Sequence, residues 1–209
     1  LKKLGAKIRI KDGYIIAEAK KGLVGAKIKF SKISVGATEN AIIAACGAAG
    51  KTELINCAIE PEIIDLISFL IKLGNKIIVR GRKIIIKASN KNNKITKHRI
   101  IFDRIEASTY LIAGALVSRK LTINKIYPKI LTSEIDILKK MGAKILLRKN
   151  SIIIYGSKNF KKIDISTKPY PGFPTDMQAQ LMVLMTQAKG LSKIKENIFE
   201  NRFMHVPEL

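Results

Sequence analysis

The sequence predicts an α/β protein made of repeated units that bury their apolar faces by packing side by side. Two observations carry the prediction. Three segments share one pattern, a glycine turn followed by two short β-branched stretches. Leu4-Gly5-Ala6-Lys7-Ile8 leads to Gly13-Tyr14-Ile15-Ile16-Ala17, Leu73-Gly74-Asn75-Lys76-Ile77 to Lys83-Ile84-Ile85-Ile86, and Met141-Gly142-Ala143-Lys144-Ile145 to Ser151-Ile152-Ile153-Ile154. The glycines at 5, 74 and 142 set periods of 69 and 68 residues, and a fixed period of this length marks a repeated supersecondary unit. Stretches of helical periodicity alternate with the strand pairs, which is the second observation.

Each unit opens on a glycine placed just past a helix end, where a positive φ is comfortable only without a Cβ. Two strands follow, joined by a tight turn such as Lys11-Asp12-Gly13 or Arg80-Gly81-Arg82. An alanine-rich helix comes next, over Glu39–Ala49 before Gly50, then over Glu106–Val117, then over Asp176–Lys189. A short strand is expected at Glu53–Asn56 and at Leu121–Asn124. A second helix spans Glu62–Leu73, with Pro61 in its first turn and one apolar stripe of Ile63, Ile67, Leu70 and Ile71.

The stretch Pro169 to Gln180 is the most distinctive. Three prolines and a glycine in six residues forbid a helix and stiffen the approach. Thr175 then reads as an N-cap, with Gln178 at capping-box spacing. Met177, Leu181, Leu184, Met185 and Ala188 follow on one face and Gly190 closes the helix. Asp176 becomes the first helical residue, where the positive end of the helix dipole favours a carboxylate. Held there, it can either take a proton from a bound substrate or simply support the helix start.

Composition narrows the function classes. With 47% hydrophobic residues the chain can bury a core. No apolar run approaches the roughly 20 residues that span a bilayer, and the first residues resemble neither a signal nor a transit peptide. Cys46 and Cys57 form no disulfide framework and lack metal-site spacing, so no metal is expected and a reducing cytoplasm fits; no cofactor is expected either. The net charge of +23 raises nucleic-acid binding as an alternative. Against it, 31 of the 39 basic residues are lysines spread along every segment, aromatics are sparse, and no recognition signature is present. No nucleic-acid partner is therefore expected, although a bound sugar diphosphate would benefit from the local positive field.

The wording of three blocks resembles a known family. Pro169–Gln180 with Ile198-Phe199-Glu200-Asn201-Arg202-Phe203-Met204-His205-Val206-Pro207-Glu208 forms the first. Ser34-Val35-Gly36-Ala37-Thr38-Glu39-Asn40 with Glu60-Pro61-Glu62-Ile63-Ile64-Asp65 forms the second, and Asp103-Arg104-Ile105-Glu106 the third. In this order and spacing they resemble the UDP-N-acetylglucosamine 1-carboxyvinyltransferases, enolpyruvyl transferases of peptidoglycan precursor synthesis, and the similarity runs from Leu1 to Leu209. The related shikimate-pathway transferases share the architecture, but this wording belongs to the cell-wall branch.

The resemblance implies a fold, domains and a reaction. The fold is the inside-out α/β barrel type, in which three units with parallel inner helices form each of two domains. Residues 1–101 would belong to one domain and 102–209 to the second, with the crossover near Ile100–Asp103 after the polar segment Ser89–His98. Enolpyruvyl would pass from phosphoenolpyruvate to the 3-hydroxyl of UDP-N-acetylglucosamine, releasing phosphate, in service of cell-wall biogenesis, cell shape and cell division.

The same resemblance assigns residues. Asp176 matches the aspartate proposed as base for the sugar hydroxyl. Lys32, Ser34, Val35 and Gly36 match the segment that holds the nucleotide diphosphate. A glycine, a hydroxyl, free helix-start amides and a lysine suit that task, although Ser-x-Gly at a helix start equally serves simple capping. Ile198 and Phe199 match apolar positions beside the sugar and uridine. Arg202 lies near the cleft, facing phosphate or bracing an interface. His205, Asp103 and Arg104 read as structural, and Glu60, Glu62 and Asp65 as helix-start carboxylates.

The resemblance also implies that the chain is an internal part of a longer protein, its missing N- and C-terminal parts being its first partners. It opens on the last helix turn of one unit and stops within the second helix of another. The mobile Pro-Gly-Gly-Cys loop that carries the family's general acid does not occur, nor do most residues that hold phosphoenolpyruvate. Cys46 lies in an apolar helix and Cys57 after a strand, so neither inherits the acid's role, and residues 1–209 alone are expected to be inactive. A non-catalytic nucleotide-sugar-binding remnant is the other reading of such a chain.

Overall fold

The computed structural model describes residues 1–89 and 96–209. Most of the Ser89–His98 polar segment therefore lies outside the described residues. The chain divides into two compact units, Leu1–Ile101 and Phe102–Leu209.

The first unit begins with a 3-10 turn at Lys2–Leu4 and a hairpin of β1 (Lys7–Lys11) and β2 (Tyr14–Glu18). Asp12 and Gly13, both at positive φ, make the tight turn between them. Then come β3 (Leu23–Val24), β4 (Lys27–Lys29), α1 (Val35–Cys46), β5 (Ala48–Ala49), β6 (Lys51–Ile55) and α2 (Pro61–Lys72). Strands β7 (Lys76–Arg80) and β8 (Lys83–Lys87) complete a four-stranded sheet of order β4-β6-β8-β7. Within it β4 and β6 are parallel, whereas β8 runs antiparallel to β6 and β7. A separate parallel pair joins β3 to β5. The core gathers Leu4, Ile42, Leu54, Ile63, Ile84 and Ile86, all fully buried. Of the expected α2 stripe, Ile63, Ile67 and Leu70 are buried, but Ile71 is turned to solvent.

The second unit repeats the plan. It runs α3 (Arg104–Val117), β9 (Leu121–Asn124), a 3-10 turn at Pro128–Leu131, α4 (Thr132–Lys140), β10 (Lys144–Arg148) and β11 (Ser151–Tyr155). After these come β12 (Phe160–Lys161), β13 (Asp164–Ser166), α5 (Gln178–Thr186), β14 (Ala188–Lys189) and β15 (Lys193–Lys195). Sheet β10-β11-β9 is antiparallel, while β12 with β14 and β13 with β15 are parallel pairs. Leu111, Ala115, Leu131, Met141, Ile152, Ile154, Met177 and Leu184 are its fully buried centre.

Gly5, Gly74 and Gly142 have φ of +94°, +104° and +101°, as the repeat requires. The helix ends differ from expectation. Helix α1 starts at Val35, four residues early, because the Ser34 side chain accepts a bond from the amide of Ala37 (3.3 Å) and caps it. Helix α3 likewise starts at Arg104, where Asp103 accepts from the amides of Ile105 (2.7 Å) and Glu106 (3.1 Å). Helices α1 and α5 end at Cys46 and Thr186, and two-residue strands lie before Gly50 and Gly190. Those two glycines, at φ +90° and +99°, thus turn a strand and do not end a helix.

Gly50 and Gly190 also register the two βαβ segments. At their separation of 140 residues, Val35 falls on Thr175, Gly36 on Asp176 and Asn56 on Glu196. The second strands keep this separation, Ile55 and Lys195 accepting the amides of Phe30 (3.0 Å) and Thr167 (2.9 Å); those two donors stand 137 residues apart, because the proline-rich loop adds three residues between strand and helix.

Candidate functional site

In the second unit the parallel pairing of β13 with β15 does the local positioning. It leads the chain out of both strands side by side, so Thr167 and Glu196 emerge as neighbours. The Thr167 hydroxyl donates to Glu196 Oε1 (2.8 Å). The same oxygen accepts the amides of Ile198 (2.7 Å) and Phe199 (3.1 Å), which folds that segment back over the carboxylate. Glu196 Oε2 accepts the hydroxyl of Thr175 (2.9 Å). Burial alone would raise the Glu196 pKa, but these four donors outweigh it and hold the carboxyl below its usual range.

Between Thr167 and Thr175 the proline-rich loop closes on itself. The amide of Lys168 bonds the Phe173 carbonyl and that of Gly172 the Pro169 carbonyl, both at 2.9 Å. Phe173 is buried in the core, which anchors the loop. A Cβ on Gly172 would meet Lys168 Cβ at 2.5 Å, so only glycine fits this close approach. Tyr170–Pro171 is cis. Arg104 is buried, with Glu134 at 3.8 Å and its guanidinium over the Tyr170 ring.

The loop delivers Thr175–Met177 as a 3-10 turn ahead of α5. The expected capping box does not form: the Thr175 hydroxyl is spent on Glu196, and Gln178 is fully buried. Asp176 is accordingly not the first residue of an α-helix, and a guanidinium, not the helix dipole, neutralises it. Arg202 Nη2 donates to Asp176 Oδ1 at 2.7 Å and Nη1 to the Thr175 hydroxyl at 3.3 Å. The Arg202 guanidinium also lies over the Phe199 ring, 5.3 Å from its centre. Among the described residues Asp176 Oδ2 accepts no hydrogen bond, and its side chain is 52% exposed. Ile198 and Phe199 stand exposed nearby in the chain, an apolar surface that the core does not use. His205 Nε2 is buried and meets no hydrogen-bond partner among the described residues.

In the first unit Ser34 caps α1, and its carbonyl takes both the amide (3.1 Å) and the hydroxyl (2.7 Å) of Thr38. Lys32 is exposed and makes no ion pair among the described residues. An added Cβ at Gly36 would meet nothing within 4 Å, so packing within the chain does not require glycine there. Val35 is half-buried against the core. Asp65, expected as a helix-start carboxylate, instead accepts from His98 (3.1 Å), whose other ring nitrogen faces Lys72 (3.3 Å). Cys46 and Cys57 are buried, and desolvation pushes both thiols up to about 11. Among the described residues no cluster of His, Cys, Asp and Glu could hold a metal, and no helix is long and apolar enough to cross a membrane.

Sequence reasoning gave Glu196 and Thr167 no role. Their meeting depends on a parallel pairing across 29 residues, which no local signal announces.

The fold is that of an α/β enolpyruvyl transferase domain. A solved enolpyruvyl transferase, NikO from Streptomyces tendae, matches all of the chain and 52% of its own with a TM-score of 0.87 at 22% identity. EPSP synthase from Acinetobacter baumannii matches 91% of the chain and 45% of its own with a TM-score of 0.62 at 17% identity. These likenesses concern the fold alone. The family model for EPSP synthase (3-phosphoshikimate 1-carboxyvinyltransferase) matches residues 1–209, and the chain belongs to that family of carboxyvinyl-transferring enzymes. Curated relatives named UDP-N-acetylglucosamine 1-carboxyvinyltransferase include one from Pelagibacter ubique, 58% identical over 209 residues, and one from Aliarcobacter butzleri, 49% identical over 211. Both alignments take in 100% of the chain, which spans about half the length of each relative.

Proposed function

We propose that the chain belongs to a UDP-N-acetylglucosamine 1-carboxyvinyltransferase and carries its acceptor side, the groups that hold the nucleotide sugar and receive the proton of its 3-hydroxyl. The observation that carries this reading is Asp176. One carboxylate oxygen is fixed by Arg202, the other accepts no hydrogen bond among the described residues, the side chain is half exposed, and the turn that bears it is braced through Thr175. A base must lie within hydrogen-bond reach of the proton it takes, and an open, oriented oxygen meets that need.

The residues then take distinct tasks. Lys32, Ser34 and the amides opening α1 bind the diphosphate, and the open space at Gly36 lets the ligand approach the backbone. Ile198 and Phe199 give the apolar wall beside sugar and uridine. As the 3-hydroxyl oxygen bonds to C2 of the enolpyruvyl group, its proton passes to Asp176 Oδ2. In the same addition C3 takes a proton from a general acid that residues 1–209 do not supply, and in the elimination C3 gives up a proton to a base as the C2–O bond to phosphate breaks and the double bond re-forms. An ordinary carboxylate is far too weak to make a free alkoxide, so proton transfer accompanies attack and placement matters more than basicity. The product feeds peptidoglycan synthesis in the cytoplasm.

The test is a titration of UDP-N-acetylglucosamine into isotope-labelled protein. Amide shifts at Lys32–Gly36 and at Asp176, Ile198 and Phe199 are expected. Shifts confined to other residues, or none at millimolar ligand, would refute the reading, as would failure of the intact polypeptide to release phosphate from phosphoenolpyruvate in the presence of the nucleotide sugar.

A further inference from the structure

Glu196 is half-buried, has no ligand-binding role among the residues the resemblance assigns, and is nevertheless the residue on which the second unit's site converges. Four donors reach it from three separate stretches of chain. Thr167 comes from the end of β13, Thr175 from the turn bearing Asp176, and the amides of Ile198 and Phe199 from the segment bearing the apolar wall. Arg202 adds a second layer, since one guanidinium bridges the Thr175 hydroxyl and the Asp176 carboxylate. The chain of contacts therefore runs from Glu196 Oε2 through Thr175 and Arg202 to Asp176, and from Glu196 Oε1 directly to the wall. In the first unit the Asn56 side chain bonds the Phe30 carbonyl (3.0 Å), and in the second Asn197 makes the matching bond to the Thr167 carbonyl (3.2 Å), so the strand ends are bridged in both without the carboxylate of Glu196.

We infer that Glu196 is a positioning residue, which through Thr175 and Arg202 sets where Asp176 stands and through two backbone amides sets the apolar wall. The inference rests on the role proposed for Asp176 above. A carboxylate suits the position because all four groups facing it are donors. A glutamine offers one acceptor and one donor end. Keeping its oxygen on the three donors at Oε1 turns its NH2 toward Thr175, whose hydroxyl then has to accept from both that NH2 and Arg202 Nη1. The arm to Asp176 is disturbed, while the arm to the wall survives. Misplacement of a catalytic group by a fraction of an ångström costs rate more than binding.

The experiment compares the intact polypeptide with E196Q, E196A, T175V and T175S, measuring kcat and both KM values by phosphate release, with thermal melting alongside. E196Q and T175V are expected to lower kcat roughly tenfold while leaving the KM for UDP-N-acetylglucosamine within about threefold. E196A, which frees both arms, is expected to lower kcat and also raise that KM. T175S, which keeps the hydroxyl, restores turnover to near the unsubstituted rate. The KM for phosphoenolpyruvate moves in none of them. An unchanged kcat in E196Q and T175V overturns the inference, as does a KM for phosphoenolpyruvate that rises in step with the other. A fall in melting temperature with unchanged kinetics does so too, because it reduces Glu196 to a structural bond. If the unsubstituted protein itself shows no turnover that depends on the nucleotide sugar, the proposed function fails first, and the two failures are told apart.

Discussion

Replacing Asp176 by asparagine separates catalysis from folding at this site. The side chain is 52% exposed, and its one ion pair is to an Arg202 side chain that is 35% exposed. Such pairs contribute about 0–1 kcal/mol, and the Asn amide oxygen can still accept from Arg202 Nη2. The D176N protein is therefore expected to melt within a few degrees of the parent. Its turnover should fall much further. A positioned general base contributes roughly 10²–10⁴-fold, or about 2.7–5.4 kcal/mol of barrier at about 1.36 kcal/mol per tenfold. Asparagine carries an NH2 group in place of Oδ2, cannot take the proton there and forfeits that whole factor, while the proposed apolar wall of Ile198 and Phe199 is left in place. Phosphate release by the intact polypeptide under saturating substrates reads the rate, and calorimetric melting reads the fold. A D176N enzyme within tenfold of the parent rate would refute the assignment of Asp176 as base. A large drop in melting temperature would refute the separation of roles.

Three further outcomes follow from the same geometry. Ser34→Ala removes the cap of α1, whose 3.3 Å bond to the Ala37 amide is long, and should cost about 0.5–1 kcal/mol in denaturant unfolding; no change would show that the cap is carried by backbone alone. With both thiols pushed to about 11, about one cysteine in ten thousand is thiolate at pH 7. Cys46 and Cys57 should resist a thiol reagent in the native protein and react in denaturant, and rapid native labelling would contradict their burial. Glu196 has a depressed folded pKa, so its stabilising contribution is present above its ordinary 4.5 and is lost as the pH falls through the depressed value. The amide resonances of Ile198 and Phe199 should titrate together with a midpoint below 4.5, and a midpoint at or above it would deny that the four donors prevail.

The parts of the fold written in short-range signals were legible. The glycines at 5, 74 and 142, the Asp12-Gly13 turn and strand β9 stand where the sequence placed them, because positive φ and hairpin geometry are properties of a few adjacent residues. Helix limits were less so. Ser34 and Asp103 cap α1 and α3 ahead of the first strongly helical residues, and the alanines before Gly50 join a parallel strand whose partner, β3, lies over twenty residues earlier. Alanine's helix propensity pointed the other way, and tertiary pairing overrode it. At the candidate site, Asp176 could be singled out from its motif, but its charge partner could not. Arg202 stands 26 residues away, with an open choice between phosphate and interface. Glu196 was invisible for the same reason, since its acceptor role exists only once β13 and β15 lie side by side.

The register set by Gly50 and Gly190 has a consequence for how such a chain acquires chemistry. One location in the repeat, the turn where a parallel strand hands over to an inner helix, is written as Val35-Gly36 in one copy and as Thr175-Asp176 in the other. The first copy leaves an uncluttered backbone there, and the second puts out an acid tethered to a guanidinium. A duplicated scaffold can thus show different faces at matching addresses, bare backbone in one copy and a tethered acid in the other, on strands that pair in the same way.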